Sequence, residues 1–586
     1  KSVELCMRLA MADAFPGARE NAARLAQLQR EGARAKALAA AAAVYGPLNR
    51  YGAETARAEY QKAMRLLERY TGANRDDREV AAAMAALGDA FRAREGGKIP
   101  ARPAPLRLEA RFDTIFPAFM ERYRTVPAGT IRVINEGTAP ASGLRLVLTI
   151  KEFLDFPAEF SIPGPLDPGA SVDVPVTLAL NRASLELREE LTVNAFVAAD
   201  AEGFEGRLSS SLRFLSRSAL TWDDTAALAS FVTPNDDAIV SFGHAALAYT
   251  PPPLFDRSFS RAFALVSALG ARGLVYVEDP ATPFSAASRG ARGKDAAPID
   301  TVRFPRATLA SGAGDCDDTS ALLLSCLEAV GVRTAILTSP GHVFVAFAAE
   351  AAPDGPGRYG LADGPAGSAP PFGSIAHGGQ HWIPLESTVL SKGFAEAWKA
   401  GYAEARKAGE ALEVMPLSEA RLRYPALPLA GTPGAPPVPS RTSWDALAGA
   451  ALKALEGAYA EPQRAVAAQA AKAGIKVGAE AYNNLGVRLV QLGDYAGAAE
   501  AFRQASVIDP GNVAARANLV VALDLSGDTE AADKALSEAR KALPAASSLA
   551  RLAERRAGSS LPDTRRASGQ GDGERASGGS VIELMW

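Results

Sequence analysis

The chain has 586 residues, 48% of them hydrophobic, with 63 basic against 66 acidic side chains and a formal net charge of −3. That length and apolar content call for several domains with cores of their own, and charge so evenly balanced and spread leaves no footprint for nucleic acid or a membrane surface. Three cysteines cannot build a disulfide framework and so do not report a redox compartment. No apolar run is long enough for a signal or a membrane span, and a start at Lys1 rather than Met is expected of a processed or truncated product that has lost a leader. Residues 1–99 are rich in Ala, Arg and Glu. Tyr60, Met64, Leu67, Val80, Met84, Leu87 and Phe91 recur at helical spacing, which predicts a helical hairpin array.

From 100 to 218 the pattern changes to short alternating runs: Thr130-Ile131-Arg132-Val133-Ile134-Asn135, Leu144 to Ile150, Val172 to Leu178 and Leu191 to Val197. Turns such as Asn135-Glu136-Gly137 and Asp167-Pro168-Gly169 separate them, so a β-sandwich is expected. In pattern alone it resembles the immunoglobulin-like adhesion modules of bacterial surface proteins.

Residues 219–412 carry the chemistry. Helices are expected over 236–249 and 259–269, ahead of the run Gly314-Asp315-Cys316-Asp317-Asp318, which leads into an apolar helix through Leu322, Leu323, Leu324 and Leu327 that Gly331 ends. Asp315 stands where an N-cap belongs. A helix N-terminus carries unpaired N–H groups and about half a positive charge, which pushes a first-turn Cys316 toward thiolate. Two strands follow, one at Thr334 to Leu337 and one opened by His342, and an antiparallel pair returns His342 over the helix start. A third strand is read at Trp382-Ile383-Pro384-Leu385-Glu386-Ser387-Thr388. Cys316, His342 and Glu386 are thus a candidate nucleophile, base and orienting acid. The Gly, Pro and Ala-rich stretch at 351–379 reads as a loop over one rim of the site.

These residues resemble the transglutaminase-like superfamily of papain-like cysteine enzymes, which has a helix-borne Cys in a Gly-x-Cys context, a Gly-His strand start and a Trp-x-x-x-Asp-x-Thr strand. Cys316 and His342 match directly, and Glu386 stands where the family usually has Asp. The resemblance implies an α+β papain-type core with helices laid against the Cys helix. It also implies an oxyanion site using the Cys316 N–H and a second donor upstream.

Asp315, Asp317 and Asp318 have two readings. They complement the helix dipole as first-turn carboxylates, or they form a hard-cation site of the kind calcium favours. The Asp-Cys-acid-Asp run resembles the bacterial transglutaminase-like cysteine proteinases of the periplasm, in which calcium near the nucleophile is implied. That resemblance also implies a periplasmic or cell-envelope location. No cofactor is otherwise required. Cys326 lies on the apolar face of the same helix and reads as plain core; at about 1.5 Å rise per residue the two thiols are on the order of 15 Å apart, too far for a disulfide. His244 reads as a helix residue, and His377 and His381 flank Gly378-Gly379 without a third ligand, so no Cys/His spacing reads as zinc. Nucleotide-binding glycine motifs are missing too.

A Pro-rich linker is expected over 413–442, with Pro425, Pro428, Pro433, Pro436, Pro437 and Pro439 acting as a semi-rigid spacer. Over 443–556, Tyr482, Leu485, Gly486, Leu489, Gly493, Tyr495, Ala498, Phe502, Ala505 and Pro510 resemble the 34-residue tetratricopeptide pattern. Leu519, Leu523, Gly527, Ala532, Leu536, Ala539 and Pro544 repeat it. Two repeats need neighbours, so 443–476 is expected to supply helices that cap or extend an α-solenoid able to dock a protein or peptide. The tail at 557–586 is Gly, Ser, Arg and Asp-rich and expected to be disordered.

The chain thus reads as multidomain α+β: an N-terminal helical array, a β-sandwich, a transglutaminase-like papain-type core and C-terminal tetratricopeptide repeats. The expected activity is that of a cysteine peptidase or amidase on a protein or peptide substrate. Two alternatives stand beside it, an inactive scaffold for protein interaction and an amine-transferring transglutaminase.

Overall fold

A computed structural model describes residues 18–45, 48, 52–74, 76–94, 104–249, 254–277, 299–349, 371–429, 438–472 and 474–559. Cys6, residues 351–370 of the expected rim loop, residues 430–437 of the expected linker and the tail from 560 lie outside them. The chain forms two compact units, one of residues 1–105 with 136–141 and 201–205, the other of the remainder.

In the first unit, α1 (Ala18–Tyr45), α2 (Ala53–Ala73) and α3 (Arg78–Arg94) bury Ala56, Ala63, Leu67, Val80, Leu87 and Phe91 together. Tyr60 stacks on Phe91 with ring centroids 4.0 Å apart. The apolar stripe read from the sequence is this contact face, and burying each large member contributes about 1.5–3 kcal/mol. Asp77 starts α3 by accepting the Val80 N–H at 3.2 Å, and it also takes Tyr70 Oη–H at 2.9 Å and Arg34 Nε–H at 2.7 Å.

Seven strands follow: β1 (Ala104–Phe112), β2 (Gly129–Asn135), β3 (Arg145–Ile150), β4 (Ala158–Ser161), β5 (Ser171–Pro175), β6 (Leu191–Ala201) and β7 (Phe204–Phe214). Their order is β4-β3-β6-β7-β1-β2-β5. The group β4-β3-β6-β7 joins β1-β2-β5 through parallel pairing of Ala104 and Pro105 with Phe204 and Glu205. From Leu106 onward β1 runs antiparallel to β2. Strands β1, β4 and β7 lie outside the runs named from the sequence, although β1 alternates Leu106, Leu108 and Ala110 with exposed Arg107, Glu109 and Arg111.

The rest of the second unit is a mixed α and β core. Its first elements are β8 (Ala219–Thr221), α4 (Asp237–Leu247), α5 (Arg257–Ala271), β9 (Val275–Tyr276), β10 (Ile299–Thr301), α6 (Pro305–Ser311) and β11 (Ala313–Gly314). They lead into α7 (Cys316–Ala329), β12 (Thr334–Ser339), β13 (His342–Ala348), β14 (Ile375–His377), β15 (Gln380–Leu385), α8 (Phe394–Ala408), β16 (Glu413–Pro416) and α9 (Leu417–Arg423). The five-stranded sheet has the order β14-β15-β13-β12-β16, antiparallel throughout. Both faces are covered, which is why β12 and β13 read as continuous apolar runs. One face packs Ala335, Leu337, Phe344, Ala346 and Trp382 with Ala405 of α8. On the other, Phe259 of α5 stands edge-on to Phe347 at 5.0 Å.

Three expectations are corrected. Residues 413–423, assigned to the linker, complete the core as β16 and α9, where Met415 pairs with Ile336 and Val414 with Leu337; two apolar residues are too short a run to signal an edge strand. The end of the expected rim loop is a hairpin, β14 and β15, turned by Gly378 and Gly379 at φ of 59° and 72°. The third strand stops at Leu385, one residue before Glu386.

The C-terminal helices are α10 (Arg441–Tyr459), α11 (Glu461–Ala470), α12 (Ile475–Gln491), α13 (Tyr495–Ile508), α14 (Val513–Leu525), α15 (Thr529–Ala542) and α16 (Ser547–Ser559). Their punctuation repeats at 34 residues: Gly493 and Gly527 take φ of 78° and 83°, and Asp494 and Asp528 then cap α13 and α15. Gly486 lets the Phe502 ring touch the α12 backbone, because a Cβ there would lie 2.4 Å from the ring. Trp444 of α10 donates its indole N–H to Ala264 of α5 at 3.2 Å, so α10 packs on the core as well as leading into the stack.

Candidate active site

The site starts at the N-terminus of α7. Asp315 is the N-cap, its Oδ1 accepting the Asp318 N–H at 3.1 Å. Gly314 is needed there because a Cβ would lie 2.6 Å from the Asp318 side chain. Cys316 is thereby held on a rigid element as a half-buried residue, while Cys326 is fully buried.

His342 follows the Pro340-Gly341 turn, in which Gly341 adopts φ of 79°, and pairs in register with Ser339. The chain direction fixed by this pairing brings β13 to the head of α7. The Val343 N–H reaches the Cys316 sulfur, and Ser320 Oγ donates to the Val343 carbonyl at 3.4 Å. His342 Nε2 lies 2.8 Å from Glu386 Oε2. The other carboxylate oxygen of Glu386 accepts Thr388 N–H at 3.1 Å and Thr388 Oγ1–H at 2.7 Å, so both oxygens are fixed. Glu386 is 6% exposed and caps a 3-10 turn over Ser387–Lys392. Its backbone N–H donates to Ala397 of α8 at 2.8 Å. Gly401, on the next turn of α8, admits that close approach, since a Cβ there would lie 2.9 Å from the Glu386 nitrogen.

Two contributors were missed in the sequence. Ser387 Oγ accepts from Thr319 Oγ1 at 3.0 Å, lies 2.9 Å from Ser320 Oγ and donates to the Cys316 carbonyl at 3.4 Å. This buried hydroxyl knot ties the residue after the acid to the first turn of the Cys helix. Glu404 of α8 accepts from Ser339 Oγ at 2.8 Å and adds a second negative charge near His342. Ser and Glu have no sequence signal for such roles, because the partner segments are 65 or more residues away.

The electrostatics differ from the helix-dipole expectation. Burial pushes the Cys316 thiol well up, Asp317 and Asp315 add to it, and the Val343 N–H only partly opposes them. The resting sulfur is therefore protonated. Burial pulls His342 down, but the hydrogen bond and charge of Glu386, with Glu404, outweigh it and leave the imidazole above its ordinary value. Burial raises Asp317 strongly, helped by Asp315, and lifts Asp318 to about 7.

Oxygens of Asp315, Asp317 and Asp318 come within 4.8 Å of one another. Protein donors reach one oxygen of Asp315, one of Asp317 and both of Asp318. Asp315 and Asp317 Oδ1 both accept the Asp318 N–H, Asp318 Oδ1 accepts the Arg303 N–H at 2.6 Å, and its Oδ2 lies 3.5 Å from Arg303 Nε. Calcium takes six to eight oxygens, more than these three carboxylates supply, and Asp318 is shared with a guanidinium. Asp315 and Asp317 serve the helix cap through the hydrogen bonds above.

A family model described as tetratricopeptide repeat matches residues 489–555. No curated protein and no solved structure matches the chain. The C-terminal helices therefore include tetratricopeptide repeats, a class of module that serves protein–protein interaction. No described helix is long and apolar enough to cross a membrane.

Proposed function

We propose that the core is a transglutaminase-like cysteine hydrolase, a peptidase or amidase of the cell envelope, flanked by an immunoglobulin-like sandwich and a repeat stack that docks a protein partner. The observation that carries the reading is the 2.8 Å contact between His342 Nε2 and a doubly anchored Glu386 carboxylate, on the strand whose next residue, Val343, meets the sulfur of the half-buried Cys316 at a helix head. With Nε2–H held by Glu386, Nδ1 is the nitrogen free to take the thiol proton. Because the sulfur rests protonated, His342 acts as a general base during attack: Cys316 Sγ bonds to the amide carbon, and His342 takes the proton. The imidazolium then gives that proton to the leaving amine as the C–N bond breaks, and water, deprotonated by His342, releases the acid and the thiol.

An inactive scaffold is the second reading, favoured by the burial and the carboxylates that hold the thiol neutral. An amine-transferring enzyme shares the acyl-enzyme and differs only in the final nucleophile. Labelling with a thiol-directed electrophile separates the first two. The hydrolase requires Cys316 to react far faster than Cys326 and His342→Ala to slow it at least tenfold; labelling indifferent to His342 leaves the scaffold.

A further inference from the structure

A cavity of about 330 Å³ lies among the 3-10 turn Arg182–Glu186, Arg217 and Ser218 ahead of β8, the start of α6 and Pro428. Four arginines line it, Arg182, Arg217, Arg303 and Arg306, against one carboxylate, Glu186. Two are already engaged. Arg306 is paired with the buried carboxylate of Asp236, and Arg303 lies between Asp318 and the Ala313 carbonyl, 3.2 Å from its Nη1. Arg217 Nη1 donates to the Leu185 carbonyl at 3.2 Å, and among the described residues neither Arg217 nor Arg182 has a carboxylate partner.

Converging guanidinium groups repel one another unless an anion lies between them, and their fixed forks suit carboxylates. The four come from three segments, Arg182, Arg217 and Arg303–Arg306, a layout that suits several carboxylates better than one compact phosphate. Arg303 joins this cavity to the thiol end of α7. Its backbone N–H and guanidinium hold Asp318, and its Nη1 holds the strand that enters Cys316.

We propose that this arginine cavity is a subsite for acidic side chains of the peptide substrate, so that the hydrolase prefers a peptide carrying Asp or Glu beside the cleaved segment. The substrate part rests on the hydrolase reading; the binding part does not. Isothermal titration of the full chain with tetra-aspartate, tetra-asparagine and inorganic phosphate tests it. The expected result is binding of tetra-aspartate, none of tetra-asparagine, and at least tenfold weakening both in Arg182→Ala/Arg217→Ala and on raising salt from 50 to 300 mM, as about two released ion pairs require. Arg182→Glu, on an exposed turn, repeats the loss without touching the core, and unchanged thermal unfolding shows that the variants fold. No binding of tetra-aspartate, equal binding by the double variant, or phosphate binding as tightly overturns the proposal. Cys316→Ala should bind tetra-aspartate as the unaltered chain does. If it does and the unaltered chain cleaves no acidic peptide, the hydrolase reading fails while the acidic-peptide cavity stands.

Discussion

The two cysteines of α7 sit on one helix in opposite surroundings. At Cys316 the first turn carries three carboxylates, a knot of Ser and Thr hydroxyls and the start of β13. Cys326 is 0% exposed, and burial alone acts on its thiol. Burial raises both thiols, so the difference that matters is not resting acidity. It is that Cys316 is not sealed in the core, and that the strand whose Val343 N–H meets its sulfur opens with His342, held by an anchored acid. A buried thiol without such a neighbour is packing; on the hydrolase proposal, the one with it is the nucleophile.

The largest expected effect is on Cys316 itself. Cys316→Ala should abolish turnover of a cleavable peptide, a fall of roughly 10³-fold or more, whereas Cys326→Ala should leave the rate alone and cost on the order of 1–3 kcal/mol of stability in urea unfolding. Equal effects would erase the contrast between the helix ends.

Glu386→Gln comes next, with a loss of about 10²–10⁴-fold in kcat. His342 must be neutral to take the proton, so the rate should rise with pH through a value above the ordinary 6.5. Removing the charge that raises His342 should move this limb to lower pH while lowering the plateau. A pH–rate profile that does not move would separate His342 from Glu386.

Ser387→Ala should cut kcat about tenfold and destabilise by about 1–3 kcal/mol, because Thr319, Ser320 and the Cys316 carbonyl lose a shared buried partner. Wild-type kinetics with normal melting would show that the hydroxyl knot does not position the thiol.

The smallest effect concerns the acid cap. The folded chain binds the Asp318 proton more tightly than the unfolded chain, about 7 against an ordinary 3.8. Its stability contribution is therefore fully present below pH 3.8 and declines as pH rises toward 7, by a few kcal/mol at most. Asp318→Asn should flatten the curve across that window, and a chelator should leave both curve and rate unchanged. Stabilisation by added calcium would instead make the cap a cation site.

Much of this was legible because local rules sufficed. The spacing around Asp315 and Gly331 gave the bounds of α7, and continuous apolar runs gave β12 and β13. The 34-residue recurrence of Leu, Gly, Ala and Pro positions gave the repeat helices. The rest depended on partners far along the chain. Residues 413–423 read as linker because β16 has meaning only beside β12. Glu386 was read within a strand, yet it caps the following turn, where the close approach of Gly401 and the Ala397 carbonyl hold it. The dipole argument for Cys316 missed the burial supplied by surrounding segments.

Sequence alone determined the helix that bears Cys316, the strand that opens with His342, the candidacy of Glu386 and the repeat periodicity, since each rests on spacing within about one element. Tertiary structure decided the rest: which ring nitrogen meets the acid, that the thiol rests protonated, that Ser387 and Glu404 join the site, and that four arginines from three segments share one cavity. Those properties are sums of burial and charge over atoms distant in the chain, and such sums have no local pattern to read.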